Sequence, residues 1–138
     1  MIPVLFDTCI VIDLLEKREP FFEDAYSLML AVANHQIRGC LSANSVLDTY
    51  YILHRANHSN EKTREAVKTL CSLFTVVNTT SSDCEKALLS EIADYEDAVM
   101  VETAIREGIS TIVTRNTKDF EKAKLEIVTP AVLAARLR

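Results

Sequence analysis

The sequence contains few of the residues that interrupt secondary structure. Its 138 residues include only two glycines and three prolines, and it has no low-complexity stretch, internal repeat or linker-like segment. Glycine and proline are the residues that most often mark turns and loops. The length is ordinary for one domain with a hydrophobic core of its own. We therefore predict that residues 1–138 form a single domain.

Long apolar segments are also missing. The longest apolar run covers residues 28–33, whereas a membrane-spanning helix needs about 20 apolar residues. The first residues carry no positive cluster, and Asp7 and Asp13 interrupt their apolar stretch, which is not the pattern of a secretory signal peptide. These absences predict a cytoplasmic protein that does not associate with a membrane.

The cysteines do not form a metal-binding or disulfide pattern. Four are present (Cys9, Cys40, Cys71 and Cys84), without a C-x-x-C pair and without histidine at zinc-finger spacing. Two disulfides would be possible by number, but nothing in the sequence indicates an oxidising compartment. We predict buried free thiols.

The charge is negative overall and unevenly distributed. The formal net charge is −5, which argues against a general nucleic-acid binder because such proteins are usually basic. Residues 83–102 contain seven acids and one base, Lys86, and a basic stretch follows beside Asp119, made of Arg115, Lys118, Lys122 and Lys124. A basic rim around an acidic centre would suit a phosphate backbone, and a solvated helix surface is the alternative interpretation.

Strand-like and helix-like segments alternate along the chain. The pattern predicts strands at residues 2–6, 39–41, 73–77, 111–114 and 127–128. Helices are predicted over residues 8–16, from Pro20 to Gly39, over 44–55 after Ser42, from Ser59 to Cys71, from Ser81 or Ser82 to about Ala93, over 95–107, and from Pro130 onward. Alternating short strands and helices indicate an α/β fold with a parallel sheet covered on both faces.

Four aspartates occur close to the predicted ends of strands or in the first turns of helices. They are Asp7, Asp48, Asp97 and Asp119. In a parallel α/β fold, ligands bind beyond the carboxyl ends of the strands, so these side chains are expected to converge. Clusters of carboxylate oxygens bind Mg²⁺ or Mn²⁺. The pattern therefore predicts a metal-dependent hydrolase that acts on phosphodiesters.

Each aspartate also has a purely structural interpretation. Asp7 can cap the helix that follows it, Asp48 can lie on a solvated helix face, and Asp119 can belong to turn chemistry with Thr114 and Asn116. Asp97 shares a stripe with Val101 and Ala104, which directs it toward the core side of its helix. We interpret Asp94 and Glu96 as charges that favour a helix N-terminus, and Asp13 as a structural or surface carboxylate. The three histidines share no spacing that would indicate a general base.

Four segments resemble the PIN-domain ribonucleases, many of which are VapC-type toxins. The segments are Leu5-Phe-Asp-Thr-Cys-Ile-Val-Ile-Asp-Leu-Leu, Ser42 with Asp48-Thr-Tyr-Tyr-Ile-Leu, Tyr95-Glu-Asp-Ala, and Ile112-Val-Thr-Arg-Asn-Thr-Lys-Asp-Phe. The resemblance implies a Rossmann-like three-layer α/β/α sandwich, Mg²⁺ or Mn²⁺ dependence and endonucleolytic cleavage of RNA. It implies metal-site acids at Asp7, Asp48, Asp97 and Asp119, with Thr114 and Asn116 as orienting neighbours.

The sequence departs from the family pattern at two positions. The second acid is often Glu in the family and is Asp48 here, and the residue two after the first acid is often Asn and is Cys9 here. The resemblance also implies a cognate antitoxin and a homodimer. For the dimer we expected an apolar surface on the helices at residues 44–55 and 60–71, made of Tyr50, Tyr51, Leu53, Val67 and Leu70.

Two other classes of function remain as alternatives. A receiver domain or a haloacid-dehalogenase-like phosphatase also gathers acids at strand ends, but the first would need an acidic pair and the second Asp-x-Asp, where this sequence has Asp7-Thr8-Cys9. A PIN-like module that has lost cleavage and binds RNA or protein is the second alternative. RNA cleavage in Mn²⁺ but not in EDTA would distinguish it from the enzyme.

Overall fold

A computed structural model describes residues 1–138 and contains five strands and seven α-helices. The strands are β1 (Ile2–Phe6), β2 (Ile37–Ser42), β3 (Thr75–Val77), β4 (Thr111–Val113) and β5 (Glu126–Val128). The helices are α1 (Thr8–Leu15), α2 (Phe22–Ala33), α3 (Ala43–Asn57), α4 (Asn60–Leu73), α5 (Ser81–Ala87), α6 (Tyr95–Arg106) and α7 (Pro130–Arg136). A 3₁₀ turn, Thr117–Phe120, connects β4 toward β5.

The strands form one parallel sheet in the order β3-β2-β1-β4-β5. All four neighbouring pairs are parallel, with β1 in the centre between β2 and β4. Parallel neighbours cannot be joined by a tight hairpin and need crossover segments, which here are helical. The predicted α/β/α architecture with a central parallel sheet is therefore confirmed.

The core has two parts, one on each face of the sheet. Val4 and Phe6 of β1 belong to a cluster with α1, α2 and α7, and Leu5 between them belongs to a cluster with α6 on the other face. Successive side chains of a strand point to opposite faces, so a continuous apolar strand such as β1 supplies both clusters. This two-sided burial fixes β1, and with it the residue that follows the strand.

Several helix ends were predicted because their signals are local. The hydroxyl groups of Ser42 and Ser59 accept hydrogen bonds from the backbone N–H groups of Ser45 and Lys62, and so cap α3 and α4. Gly108 follows α6 with a φ of 72°, a conformation that suits glycine. Pro130 occupies the first turn of α7. These four predictions are confirmed.

Other predicted boundaries were wrong. Helix α2 ends at Ala33 and not at Gly39, which lies within β2. A Cβ atom at Gly39 would come within 2.7 Å of Phe74 and Val32, so this glycine permits close packing against the sheet and does not terminate a helix. Helix α5 ends at Ala87, well before the expected Ala93. Of the four free thiols, Cys71 is exposed and only Cys40 is fully buried.

Helix α3 buries only a narrow stripe of its surface. Its buried residues are Ser45, Thr49 and Leu53, spaced one turn apart, whereas Leu47 is 59% exposed. Leu53 and Leu70 face the core and so cannot contribute to the surface we expected for a dimer. No helix of the structure combines the length and the apolar character needed to cross a membrane.

Candidate active site

A cleft of about 460 Å³ lies at the edge of the sheet where the strands end. Asp7 directly follows β1, Ser42 ends β2, and Thr79 lies just after β3. The chain adds β2 and β3 on one side of β1 and then crosses to add β4 on the other side. The crevice beside such a switch point is where open α/β sheets bind their ligands. The cleft is lined by Asp7, Asp48 and Asp97 among other residues.

Asp7 is held across the switch point by hydrogen bonds. The hydroxyl of Thr114, at the end of β4, donates to Oδ2 of Asp7 at 2.7 Å and accepts from the backbone N–H of Asn116 at 3.0 Å. The thiol of Cys9 donates to the same Oδ2 at 3.6 Å. Burial and the negative charge of Asp7 raise the pKa of Cys9 to about 11, so the thiol keeps the proton that it donates. Both bonds go to Oδ2, and Oδ1 makes no hydrogen bond.

The expected role of Asp7 as a helix cap is only partly realised. Asp7 occupies the N-cap position of α1 with extended backbone, but its side chain makes no capping hydrogen bond. The carboxylate is instead engaged by Thr114, which follows β4, and by Cys9 in the first turn of α1. Its orientation therefore depends both on the contact between the ends of β1 and β4 and on the thiol at the start of α1.

Asp48 lines the cleft from α3, and Glu96, which the sequence pattern did not assign to the site, lines it from α6. Burial raises the pKa of Asp48. The charge of Asp48 is in turn the largest cause of a raised pKa at Glu96, which also lines the cleft. The interpretation of Glu96 as only a helix N-terminal charge was incomplete. Because α6 begins at the cleft, the first turn of this helix places both Glu96 and Asp97 there.

Among the carboxylates of the cleft, Asp97 has the pKa that its surroundings change most. Burial first, and then the neighbouring carboxylates, raise its pKa to about 7. These carboxylates belong to Asp94, Asp7, Asp119 and Glu96. No arginine or lysine forms an ion pair with Asp97. The side chain is therefore protonated over part of the neutral pH range unless a cation lies nearby.

Asp119 and Asn116 lie at the margin of this cleft. Asp119 is exposed on the 3₁₀ turn after β4, close enough for its charge to raise the pKa of Asp97, but it is not among the residues that line the cleft. The backbone of Asn116 contacts Thr114 and Asp119, and its side chain makes no hydrogen bond. The structure thus brings Asp7, Asp48 and Asp97 together and places the other two at the edge.

The carboxylates of the cleft are not close enough together to coordinate one metal ion as they stand. No group of three or more His, Cys, Asp or Glu side chains is arranged so that it could hold a metal ion. Two like unit charges about 4 Å apart repel by roughly 4 kcal/mol at an effective dielectric constant of 20, which favours separation. The donor set nevertheless suits Mg²⁺ or Mn²⁺, because it consists of carboxylate oxygens, none of which forms an ion pair with an arginine or lysine.

The predicted basic rim needs a correction at Arg115. This residue forms an ion pair with Asp13, with Nε 2.6 Å from Oδ2, and its guanidinium lies 4.0 Å from the centre of the Phe21 ring. Asp13 is 1% exposed, which confirms it as a structural carboxylate. Arginines do line the cleft, but they are Arg18 and Arg55, which the sequence pattern did not single out.

A comparison with protein families identifies the type of domain that this chain forms. The family model described as the PIN domain matches residues 3–118. This match includes Asp7, Asp48 and Asp97 and ends at the residue before Asp119. The chain belongs to the PIN domain family, as its sequence motifs predicted. Among proteins with curated descriptions, none matches the sequence at a significant level.

Solved structures of similar fold include toxin–antitoxin proteins. A toxin–antitoxin complex from Klebsiella pneumoniae is similar with 27% identity and a TM-score of 0.68, over 92% of this chain and 97% of that one. VapBC2 from Rickettsia felis, bound to a DNA fragment from its promoter, has 18% identity and a TM-score of 0.67, over 93% and 98% of the two chains. PAE2754 from Pyrobaculum aerophilum has 15% identity and a TM-score of 0.66, over 99% and 89%. The last two similarities concern the fold alone.

Proposed function

We propose that this PIN domain is a Mg²⁺- or Mn²⁺-dependent endoribonuclease. The main supporting observation is the group of carboxylates at the switch point of the sheet, where burial and the neighbouring carboxylates raise the pKa of Asp97 to about 7. A buried carboxylate without a partner is unfavourable. Its presence in a ligand-binding crevice is understandable if the missing partner is a cation bound during function.

Asp7, Asp48 and Asp97 are the residues that would hold the principal ion. Asp119 would support a second ion or orient the attacking water, and Glu96 adds a further carboxylate beside Asp48. When bound, a divalent ion would offset the charge of a phosphate oxygen and lower the pKa of a bound water for attack on phosphorus. The protein's part is to hold Asp7 at the end of β1, Asp48 on α3 and Asp97 at the start of α6.

Thr114 and Cys9 have the role of positioning residues in this proposal. Their hydrogen bonds to Oδ2 of Asp7 fix the carboxylate and leave Oδ1 available. Cys9 thus supplies a donor where the family often has Asn. Asn116 acts one step further away, because its backbone N–H orients the Thr114 hydroxyl.

We further propose that the chain is the toxin of a toxin–antitoxin pair and forms a homodimer. The similarity to the Klebsiella pneumoniae toxin–antitoxin complex supports an antitoxin partner. The exposed Leu47 of α3, which lies outside the cleft, replaces the buried Leu53 and Leu70 as a candidate for a protein-contacting surface. Light scattering of the purified chain tests the dimer, and a monomer at micromolar concentration would contradict it.

The alternative function is a binding module with the PIN fold but without catalysis. Asp7, Asp48, Asp97 and Asp119 are all present, which favours the enzyme. The observation that favours the binding module is that no three of these side chains are arranged to hold a metal ion. RNA binding without cleavage in either Mg²⁺ or Mn²⁺ would support the module.

The decisive experiment compares cleavage of RNA by the wild type and by Asp7→Asn and Asp97→Asn variants. Even residues that only orient metal ligands cost about 10- to 100-fold when removed, so loss of a ligand should lower the cleavage rate by more than about 100-fold. Glu91→Gln is the matched control, because Glu91 is exposed and outside the cleft. Equal cleavage by Asp97→Asn and Glu91→Gln would contradict the site, and circular dichroism checks that each variant is folded.

A further inference from the structure

Two side chains of α3 line the cleft but have no role in holding a metal ion. Tyr51 is 67% exposed although it belongs to the cleft wall, and its hydroxyl makes no hydrogen bond. Arg55 follows one helical turn later on the same wall, is exposed, and forms no ion pair. Residues four apart on a helix are neighbours on its surface. An aromatic ring and a free guanidinium thus lie side by side at the mouth of the acidic cleft.

The position of Tyr51 is supported by its neighbour Tyr50. The hydroxyl of Tyr50 donates to Oδ1 of Asn60 on α4 at 2.7 Å. The Tyr50 ring also lies parallel to the imidazole of His54, with their centres 5.8 Å apart. The ring of Tyr51 meets that of Tyr50 edge to face at 6.0 Å. One part of the Tyr51 ring therefore packs on an anchored residue, while most of its surface faces solvent.

We propose that Tyr51 stacks on an unpaired base of the RNA and that Arg55 binds a phosphate next to that base. This inference rests on the proposed ribonuclease function and assigns the residues that select the substrate. Every base has a π-face, so an exposed aromatic ring can stack on it, and an arginine beside the ring adds a charge contact to the backbone. Within a duplex each base face is covered by its neighbours, so this contact requires a nucleotide outside a helix.

The other arginine of the cleft is a weaker candidate for the phosphate contact. The guanidinium of Arg18 forms an ion pair with Glu16, at 2.7 Å, so part of its charge is already offset. Arg55 has no such partner. The positive wall of the cleft therefore depends on Arg55, and this residue lies on the same helix as both Asp48 and Tyr51.

The probe is a short, fluorescently labelled single-stranded RNA of mixed sequence, and its binding is measured in EDTA. The parent protein carries Asp97→Asn, and each further substitution is added to this parent. Under these conditions the RNA stays intact and the result requires neither a metal nor cleavage. Tyr51→Ala should weaken binding by about 5- to 150-fold, the range for loss of one base–aromatic stack. Tyr51→Phe keeps the ring and should bind like the parent. Tyr26→Ala is the control, because Tyr26 is also an exposed tyrosine but lies outside the cleft.

The salt dependence of binding distinguishes the two residues. Removing a phosphate contact should make the slope of log K against log salt concentration shallower by about 0.7 for a single strand. Arg55→Gln should show this change, whereas Tyr51→Ala should lower affinity without altering the slope. Arg64→Gln controls for loss of an exposed, unpaired arginine outside the cleft. A fully paired RNA duplex should show no effect of Tyr51→Ala.

Other results would overturn the proposal. It fails if Tyr51→Ala binds single-stranded RNA as well as Tyr26→Ala does, or if single strands and duplexes are weakened equally. A change in oligomeric mass with unchanged RNA affinity would mean that Tyr51 contacts a second copy of the chain. If the Asp97→Asn protein binds RNA but the wild type does not cleave it, the ribonuclease function is contradicted. The comparison of Tyr51→Ala with Tyr26→Ala then still decides whether Tyr51 binds RNA. Absence of any RNA binding would overturn both.

Discussion

Asp83 and Asp97 lie near opposite ends of the same helical pair but have opposite ionisation behaviour. Asp83, on α5, is 2% exposed and accepts hydrogen bonds from Arg106, from the hydroxyl of Thr103 and from the backbone of Thr80. Its burial would raise its pKa, but the bonds from Arg106 and Thr80 lower the pKa below the ordinary value. Asp97, at the start of α6, is partly buried, and this burial together with the neighbouring carboxylates raises its pKa to about 7.

Burial raises the pKa of both carboxylates, and their partners decide the direction of the net shift. Asp83 and Asp13 are the most buried aspartates, and each has a guanidinium from a distant part of the chain, Arg106 or Arg115. Asp97 is surrounded by other acids. Burial of a charge is tolerated when a counter-charge is built into the fold. Carboxylates without one are therefore the candidates for binding a cation from solution.

The largest stability effect should come from breaking a built-in pair. Asp13→Asn leaves Arg115 without its carboxylate and should lower the free energy of unfolding by about 3 kcal/mol, the lower end for a buried pair because Arg115 is partly exposed. Asp97→Asn removes a charge that has no partner and should cost far less. Urea unfolding of both variants without metal provides the measurement. A more severe loss in Asp97→Asn would contradict the contrast between paired and unpaired carboxylates.

A somewhat smaller effect is expected from adding the missing cation. Mn²⁺ at 100 times its dissociation constant should stabilise the wild type by about 2.7 kcal/mol, a melting shift of roughly 5–15 °C for a domain of this size. Asp97→Asn should respond much less. Thermal melting in EDTA and in Mn²⁺ measures both proteins, and Glu91→Gln should behave like the wild type. A wild type that is indifferent to both Mn²⁺ and Mg²⁺ would favour the binding-module alternative.

The pH dependence of unfolding without metal should also separate the two carboxylates, which should act in opposite directions. The lowered pKa of Asp83 contributes stability that is present above the unfolded value of about 3.9 and is lost as the pH falls through the folded value. The raised pKa of Asp97 means that the folded state keeps a proton that the unfolded state releases, so stability falls as the pH rises from about 4 to about 7.

Two variants separate these contributions. Asp97→Asn should gain stability relative to the wild type as the pH rises from about 4 to about 7, because the substitution removes the titrating group. Asp83→Asn should be less stable than the wild type at neutral pH, and the difference should shrink in acid. Urea unfolding at a series of pH values measures the trends. Parallel curves for Asp97→Asn and the wild type would show that Asp97 titrates normally.

The candidate site was predicted from sequence to the extent that its residues follow local signals. Asp7 could be located because it directly follows an apolar strand, and Asp97 because it shares a helical stripe with buried residues. Glu96 and Arg55 were missed, since their contribution depends on where α6 and α3 lie relative to the cleft. The partner of Asp13 could not be predicted, because Arg115 is 102 positions away in the chain.

The sequence by itself determined the alternation of strands and helices, the caps at Ser42 and Ser59 and the end of α6 at Gly108, because these features arise from hydrogen bonds and backbone conformations within a few residues. The tertiary structure decided which carboxylates received a counter-charge and which did not. It also decided that Gly39 permits packing within a sheet, because Phe74 and Val32 occupy the space beside it. Both outcomes depend on distances between segments remote in sequence, which only the folded arrangement of the sheet and its helices sets.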